Sequence, residues 1–567
     1  MSDDVTTPDG GPPAGTPTRE RRKLWVAAGV AGLTGVVGLA ALGGLASSDD
    51  KSGDADRLSD ARSTAPRQNV SDAGKADKAG GEKTGQGEDD WSGGDWSGQG
   101  DRKQGNRKHD DREKEVPCDT DRLIQAITDA NKNHGATLKL AKHCTYELTR
   151  SEHGNGLPVI KEPIVLKGDD TKIVRAAATE RFRILNVGSS GHLTLKNVTI
   201  KGGQTVARKM VSSPAPPPGA TFGLSGSTTA AATPARPAMA APTPSAAAPG
   251  KPATLAEPAT AEAQPDGTAT AAPGVVSADG AGLLVQRGGH ADIEHSTFVQ
   301  NQAGGNGGGI ANLGTTNVRH TSVENNSADG FGGGIFNVGV LRVEESKVTY
   351  DSAGLGGGGI ANGTSASGDT AGGGTVWVWK STISHNRTAG LGGGVFDNDG
   401  ETTITQSHIT DNVGRTDVGG VIALHDSRLS LEHVVVAKNH TEGEGGGVGV
   451  GRDSHAVIEY SAIKENVAEG FGGGGVYTDD FGTTTLRDTE VVANQAVSPG
   501  AVGGGIVNDF GTTRLVGTKV AHNVATEPPG GVWTNNNRVF IDRKSAVTDN
   551  RPTNCQGSPV IPDRCFG

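Results

Sequence analysis

A short phrase that recurs ten times between Ser296 and Asn550 constrains the fold of this chain more than any other feature. The phrase is Ser/Thr-x-apolar-x-x-Asn, and its last position is Asp351 in one copy and asparagine in the other nine. Successive copies lie 25 to 29 residues apart, apart from one gap of 35. The asparagines are Asn301, Asn326, Asn386, Asn412, Asn439, Asn466, Asn494, Asn523 and Asn550. A fixed period in this range indicates stacked repeats, each burying its apolar face against its neighbours.

The residue types inside each copy predict how one repeat is built. The Ser/Thr and apolar positions share one parity, so both point to the inner face of a strand. The terminal Asn suits a left-handed turn, and its amide can bond the equivalent Asn one repeat away. Glycines followed by Ile or Val, as at Ile310 and Ile335, fit a tight corner. We therefore predict an all-β parallel β-helix of about 12 coils with three short strands per coil.

A family resemblance is carried by the same phrases. Phe298-Val-Gln-Asn301 and the Gly-Gly-Gly-Ile/Val phrases resemble the repeats of chlamydial polymorphic outer-membrane proteins and of related right-handed parallel β-helix repeat proteins. The segment from Cys118 to Gly203 is similar to the N-terminal cap and first coils of secreted β-helix proteins. The resemblance covers about residues 118–567, without a C-terminal autotransporter barrel. The resemblance implies a right-handed solenoid. Because the sequence departs from the family in this barrel, we expect a single-membrane or wall-associated bacterial surface protein instead of an outer-membrane autotransporter.

The N-terminal segment predicts export. An uncharged apolar run at 24–46 follows a basic cluster and, at about 1.5 Å per residue, can span a hydrocarbon core of about 30 Å. The basic flank places residues 1–23, a polar tail expected to be disordered, in the cytoplasm and the rest of the chain outside. We expect a single-pass signal anchor with an extracellular C-terminal domain. A signal peptide cleaved near Ala46, which would release a secreted protein, is the alternative.

Composition divides the rest of the chain. Between the apolar run and Cys118 aliphatic residues are almost absent, and the later Pro/Ala/Thr-rich stretch can form neither helix nor strand ladder. Leu123 and Ile127 belong to a helical apolar spacing that predicts a cap helix over the first coil. The predicted parts are a disordered linker at 47–115, the cap helix and first coils at 116–203, a disordered insertion at 204–273, the repeats at 274–550 and a C-terminal tail at 551–567.

The cysteines and the overall charge narrow the compartment and the partners. Cys118 with Cys144 and Cys555 with Cys565 form two local pairs, which predict two structural disulfides outside a reducing cytosol. Neither pair has the spacing of a metal site, and we expect no metal and no cofactor. The net charge of −11 with no basic stripe argues against nucleic acid as a partner.

Candidate catalytic residues are few. Asp397, Asp399, Asp480 and Asp509 follow glycine phrases and are the candidates for a carboxylate pair on an outward face, although turn chemistry also accounts for them. The expected function is a structural, adhesive or glycan-binding surface module. Its partner would be cell-wall or extracellular polysaccharide, or another surface protein. The alternative is a carbohydrate-active enzyme, a polysaccharide lyase or glycoside hydrolase.

Overall fold

The computed structural model describes residues 113–206, 278–364, 372–479 and 481–567. Four predicted parts lie wholly or mostly outside these residues: the tail at 1–23, the apolar run at 24–46, the linker at 47–115 and the insertion at 204–273. Asp480 also lies outside them. Within the four described ranges, no helix has the length and apolar character needed to cross a membrane.

The described chain is a parallel β-solenoid of about 13 turns, which confirms the predicted parallel coil. A full coil contains four short strands rather than the three expected, as in Thr315–Arg319, Ser322–Glu324, Ser327–Ala328 and Ile335–Asn337. The first two strands belong to one sheet and are separated by a bend at a left-handed residue, here His320. This bend divides one expected strand into two.

The largest sheet has 25 strands among the described residues. At its N-terminal end lie Lys114–Val116, Ala136–Leu140, Thr145–Leu148, Pro163–Arg175 and His192–Lys201. Before the bend, the coils contribute His290–Glu294, Thr315–Arg319, Val340–Glu344, Thr375–Trp379, Glu401–Thr405, Arg428–Glu432, His455–Glu459, Thr483–Arg487, Thr512–Val516 and Val539–Ile541. After it they contribute Thr297–Val299, Ser322–Glu324, Lys347–Thr349, Thr382–Ser384, His408–Thr410, Val435–Ala437, Ala462–Lys464, Glu490–Val492, Lys519–Ala521 and Ala546–Thr548.

Two narrower sheets close the coil. The nine-stranded sheet contains Gln302–Ala303, Ser327–Ala328, Ser352–Ala353, Arg387–Thr388, Val413–Gly414, His440–Thr441, Val467–Ala468, Gln495–Ala496 and Val524–Ala525. The eleven-stranded sheet contains Leu185–Val187, Leu283–Val285, Ile310–Asn312, Ile335–Asn337, Ile360–Asn362, Val395–Asn398, Val421–Leu424, Val448–Val450, Val476–Asp479, Ile506–Asp509 and Val532–Thr534. All strand pairs in these two sheets are parallel, so each residue type stacks on its equivalent in the next coil.

The interior combines an apolar column with polar ladders. Phe298, Val323 and Val348 are fully buried and stack in register. Along the asparagine column, the main-chain N–H and Nδ2 of one residue both donate to Oδ1 of the next. For Asn301 and Asn326 both distances are 3.0 Å. Each coil is thus joined to the next through side chains as well as strands.

The left-handed backbone lies one position earlier than expected. The residue before each ladder position, such as Gln300, Asn325 or Tyr350, has a positive φ, whereas the asparagines do not. The interior position needs the Asn side chain for hydrogen bonding, so the turn is made by its outward neighbour. At the glycine corner, Gly332 has φ +68°, and a Cβ on Gly333 would lie 2.5 Å from the Gly358 carbonyl oxygen. These glycines are required by conformation and by close backbone approach.

A disulfide lies near each end of the solenoid. A helix at Thr120–Lys132 is preceded by Asp119, whose Oδ1 accepts from the Arg122 N–H at 2.9 Å. Its buried face joins the core of the first coils. Cys118 and Cys144 are bonded with a Cα separation of 5.7 Å, and Cys555 and Cys565 with one of 6.0 Å. The predicted disulfides are confirmed.

Coils remain in register across the segment that contains the predicted insertion. Leu185 pairs with Leu283, and His192 pairs with His290, as consecutive coils do elsewhere. Strands on either side of this segment are therefore direct neighbours in the sheet.

Candidate functional site

Asp397, the first sequence candidate, lies inside the solenoid. Its side chain has no exposure, and one carboxylate oxygen accepts from Nδ2 of Asn362 at 3.0 Å. It ends a second interior ladder, which runs from Asn312 through Asn337 and Asn362. Burial raises the pKa of Asp397 to about 7, against the hydrogen bond from Asn362. The carboxylate therefore faces the core.

Of the other candidates, Asp399 and Asp509 lie within the described residues, and they do not share one groove with Asp397. Asp399 is exposed at a left-handed corner after the strand. Asp509 follows Asn508, and the register from Asp397 to Asn508 passes through Ala423, Val450 and Thr478. At about 4.8 Å per coil, those four steps separate Asp397 from Asp509 by roughly 19 Å. A glycosidase pair requires about 5 to 10 Å.

A small cavity beside Asp479 is also acidic. Asp417, Asp479, Arg452 and Tyr477 are among the residues that line it. Its volume is about 30 Å³. That is room for about two water molecules, whereas pockets for organic ligands measure about 300 to 1,000 Å³. The cavity is too small for a sugar ring.

The outer face of the largest sheet offers more accessible chemistry. On the five-residue strands before the bend, the second and fourth side chains are buried and the other three point outward. One outward column therefore stacks Asp292, Asn317, Arg342, Trp377 and Thr403 on successive coils. These residues share a rigid surface, because the strands that carry them are hydrogen-bonded to one another.

Two tryptophans stand side by side on this face. Trp377 and Trp379 are 36% and 37% exposed, and Val376 and Val378 beneath them are buried. The Arg342 guanidinium lies 4.6 Å from the ring centroid of Trp377, and the Lys380 ammonium lies 4.1 Å from that of Trp379. The combination presents apolar rings together with fixed positive charge.

The next coil leaves this pair open on one side. Thr403 and Thr405, the register partners of Trp377 and Trp379, have much smaller side chains. Tyr350, on the coil of Arg342, and His385, on the coil of Trp377, stack outward with ring centroids 4.8 Å apart, and Tyr350 is 57% exposed. Trp377 and Trp379 are the exposed tryptophans of the described residues, and exposed tyrosine and phenylalanine rings also lie on later coils, as at Tyr460, Phe510 and Phe540.

Potential metal ligands occur on the same outer face, two coils before Arg342 and nearer the N-terminus. His192 Nε2 lies 2.8 Å from Asp292 Oδ2, and His290 Nε2 lies 3.2 Å from Asp292 Oδ1. Asn317 Nδ2 donates to Asp292 Oδ1 at 2.8 Å. Burial opposes ionisation of Asp292, but the hydrogen bonds from Asn317 and the histidines outweigh it and lower the pKa of this carboxyl.

Neither the tryptophan pair nor the His192, His290 and Asp292 group was predicted from the sequence. The tryptophans carry a readable signal, because Thr-Val-Trp-Val-Trp alternates and inward valines put both rings outside. The His192, His290 and Asp292 group has no local signal, since His192 and Asp292 are 100 residues apart in the chain.

Comparisons with family models, with curated proteins and with solved structures find no match for this chain. The resemblance of its repeats to those of chlamydial polymorphic outer-membrane proteins therefore stays a prediction, whereas the parallel β-solenoid is observed directly. What the chain binds must be inferred from its own side chains.

Proposed function

We propose that this chain is an extracellular, membrane-anchored β-helix surface protein that binds an anionic polysaccharide on the outer face of its largest sheet. The observation that carries the proposal is the exposed pair Trp377 and Trp379, flanked by Arg342 and Lys380. The anchor at 24–46 and the linker at 47–115, both expected from the sequence, belong to the same proposal.

The chemistry of the pair favours a sugar chain. The apolar faces of pyranose rings, which carry C–H bonds, stack on flat aromatic rings, and tryptophan offers the largest such surface. Arg342 and Lys380 can bond carboxylate or phosphate substituents of the same polymer. Arg342, Trp377 and Trp379 lie on hydrogen-bonded strands, so their backbone is fixed before the ligand arrives, which reduces the entropy lost on binding.

The finer features of the fold belong to the same proposal. We take the solenoid to be right-handed and the helix at Thr120–Lys132 to cap its first coil. The helix buries Leu123 and Ile127 in the core there. Covering a terminal coil keeps apolar side chains and unpaired strand edges from water, as a long-lived extracellular protein requires.

Replacing both tryptophans should abolish most of the binding. When it is tested against a panel of acidic and neutral polysaccharides, we expect the full-length chain to bind at least one acidic polymer. The double variant Trp377→Ala/Trp379→Ala should bind that polymer at least tenfold more weakly, because buried tryptophan anchors typically contribute about 2 kcal/mol or more to binding. Isothermal titration calorimetry measures the affinity, and circular dichroism checks that the variant is folded.

Phe540→Ala provides the matched control. Phe540 lies on the same outer face, is 51% exposed and is also paired with an arginine, Arg514. Its loss should leave binding unchanged. Equal losses in both variants, or full binding by the double tryptophan variant, would contradict the proposal. So would polysaccharide cleavage that is lost in Asp480→Asn or Asp509→Asn, which would favour the enzymatic alternative.

A further inference from the structure

Three side chains with metal-binding atoms meet where two coils on either side of the predicted insertion are paired. His192 lies on the strand His192–Lys201, and His290 and Asp292 lie on His290–Glu294. His192 and His290 are register partners, so their imidazoles extend from neighbouring strands on the same face. In the described part of the chain, these three residues form a group of His and Asp side chains with closely spaced ligand atoms, which all lie within 4.8 Å of one another.

The spacing of these atoms suits a small divalent metal ion. A tetrahedral zinc with bonds of about 2.0 Å places its ligand atoms about 3.3 Å apart. Here the two imidazole nitrogens lie 2.8 and 3.2 Å from oxygens of the same carboxylate. Both distances are close to the separation expected for ligand atoms around one ion, and all three ligand atoms lie within 4.8 Å of one another. Two imidazoles and one carboxylate are also a ligand set used for zinc, with water in the remaining position.

Asn317 supports Asp292 in the way that metal sites usually require. Its Nδ2 donates to Asp292 Oδ1, while its own Oδ1 is buried without a hydrogen-bond partner. The hydrogen bond to Asp292 therefore orients the Asn317 amide, whose oxygen makes no hydrogen bond of its own. Outer partners of this kind orient the ligands and commonly change metal affinity by about 10- to 100-fold.

The site is open to solvent on one side. The side chains of His192, His290 and Asp292 are 43%, 33% and 29% exposed, so an ion can enter and keep a water ligand. We propose that His192, His290 and Asp292 bind one Zn²⁺ ion, which links the two coils across the junction that contains the insertion. This assignment does not depend on polysaccharide binding.

A linkage at this position has a clear structural use. The two strands are neighbours in space, but the chain between them runs from Lys201 to His290. A long connection holds its two ends together more weakly than the short ones elsewhere in the stack. A metal ion bound to both strands would compensate, and by binding the folded state alone it would raise the melting temperature.

Zinc binding to the full-length chain tests the assignment directly. After removal of metals with a chelator, competition against a zinc-sensitive dye should show one tight site per chain. His192→Ala and His290→Ala should each weaken that site at least tenfold, and Asn317→Ala about tenfold. Zinc should raise the melting temperature of the native chain but not of His290→Ala.

His455→Ala is the matched control, because His455 is exposed on the strand His455–Glu459 and occupies the register position of His290 on a later coil. It should bind zinc as the native chain does. Asp292→Asn keeps the shape of the side chain but removes its charge, so weakened binding with an unchanged circular dichroism spectrum excludes misfolding as the cause. No tight zinc site in the native chain, or equal affinity in His290→Ala and His455→Ala, would overturn the assignment.

Discussion

Replacing Asn412 by alanine should lower the free energy of unfolding by about 4 kcal/mol. Asn412 Oδ1 accepts from the main-chain N–H and Nδ2 of Asn386, and its own Nδ2 donates to Ile383 and Asn439 oxygens at 3.0 and 2.9 Å. Alanine would leave several of these buried partners unpaired, and each such group costs about 1 to 3 kcal/mol. Urea unfolding followed by circular dichroism measures the change.

A matched amide on the surface provides the control for this variant. Gln495 is exposed in the nine-stranded sheet, and Gln495→Ala should change stability by less than about 0.5 kcal/mol. Hydrogen exchange adds a local measurement, because the Asn386 main-chain N–H loses its acceptor in Asn412→Ala and should exchange faster. Unchanged protection of that N–H, together with an unchanged urea midpoint, would show that the ladder contributes little to stability.

Replacing Asp351 by asparagine should stabilise the chain by about 2 kcal/mol near neutral pH, a rare case in which a single polar substitution improves a buried site. Asp351 Oδ1 accepts from Asn326, as an asparagine oxygen would. Its Oδ2 is buried without a partner, at the position where other rungs have a donating Nδ2. Asp351 must therefore hold a proton to donate at this position, whereas the amide introduced by Asp351→Asn would donate to Asn386 without one and complete the ladder.

The gain from Asp351→Asn should depend on pH. Burial raises the pKa of Asp351 well above its ordinary value near 4. The folded chain then holds a proton that the unfolded chain has lost, so native stability falls as pH rises from about 4 towards the raised pKa. A protonated Asp351 can donate as asparagine does. The advantage of the variant should therefore be small near pH 4 and grow through this window.

Unfolding measurements from about pH 4 to 8 on the native chain and the variant test this dependence. Asp329→Asn removes the same charge from an exposed position on the preceding coil and should show no comparable gain. Asp397 and Asp417 are also buried with raised pKa values, so the native chain should itself lose stability towards neutral pH even after the Asp351 contribution is removed. A gain that stays constant with pH would refute the proposed protonation of Asp351.

The coil was predictable because its requirements repeat. Interior positions such as Val323, Val348 and Asn326 must satisfy the same packing and hydrogen bonding in every turn, so their residue types recur in the sequence. The left-handed column shows the opposite case. Gln300, Tyr350 and their equivalents need a particular backbone conformation while their side chains point outward, so no common residue type marks the turn.

The candidate sites were harder to predict for a related reason. Trp377 and Trp379 can be assigned to the outer face once Val376 and Val378 are known to point inward. No equivalent tryptophans recur in the neighbouring repeats to mark these positions in the sequence. The zinc ligands come from two coils whose register depends on pairing across a long segment. Until the register of His192 against His290 is known, the two histidines are unrelated positions in the chain.

The unbroken register across that segment also bears on how such proteins change over time. The pairing of Leu185 with Leu283 resembles that of Ile310 with Ile335, although the lengths of chain between the partners are very different. Neighbouring coils are thus specified by strand complementarity and not by the length of the connection. A β-solenoid of this kind can acquire a new segment between two coils without redesigning either, which makes the junction a natural point for evolutionary or engineered insertion.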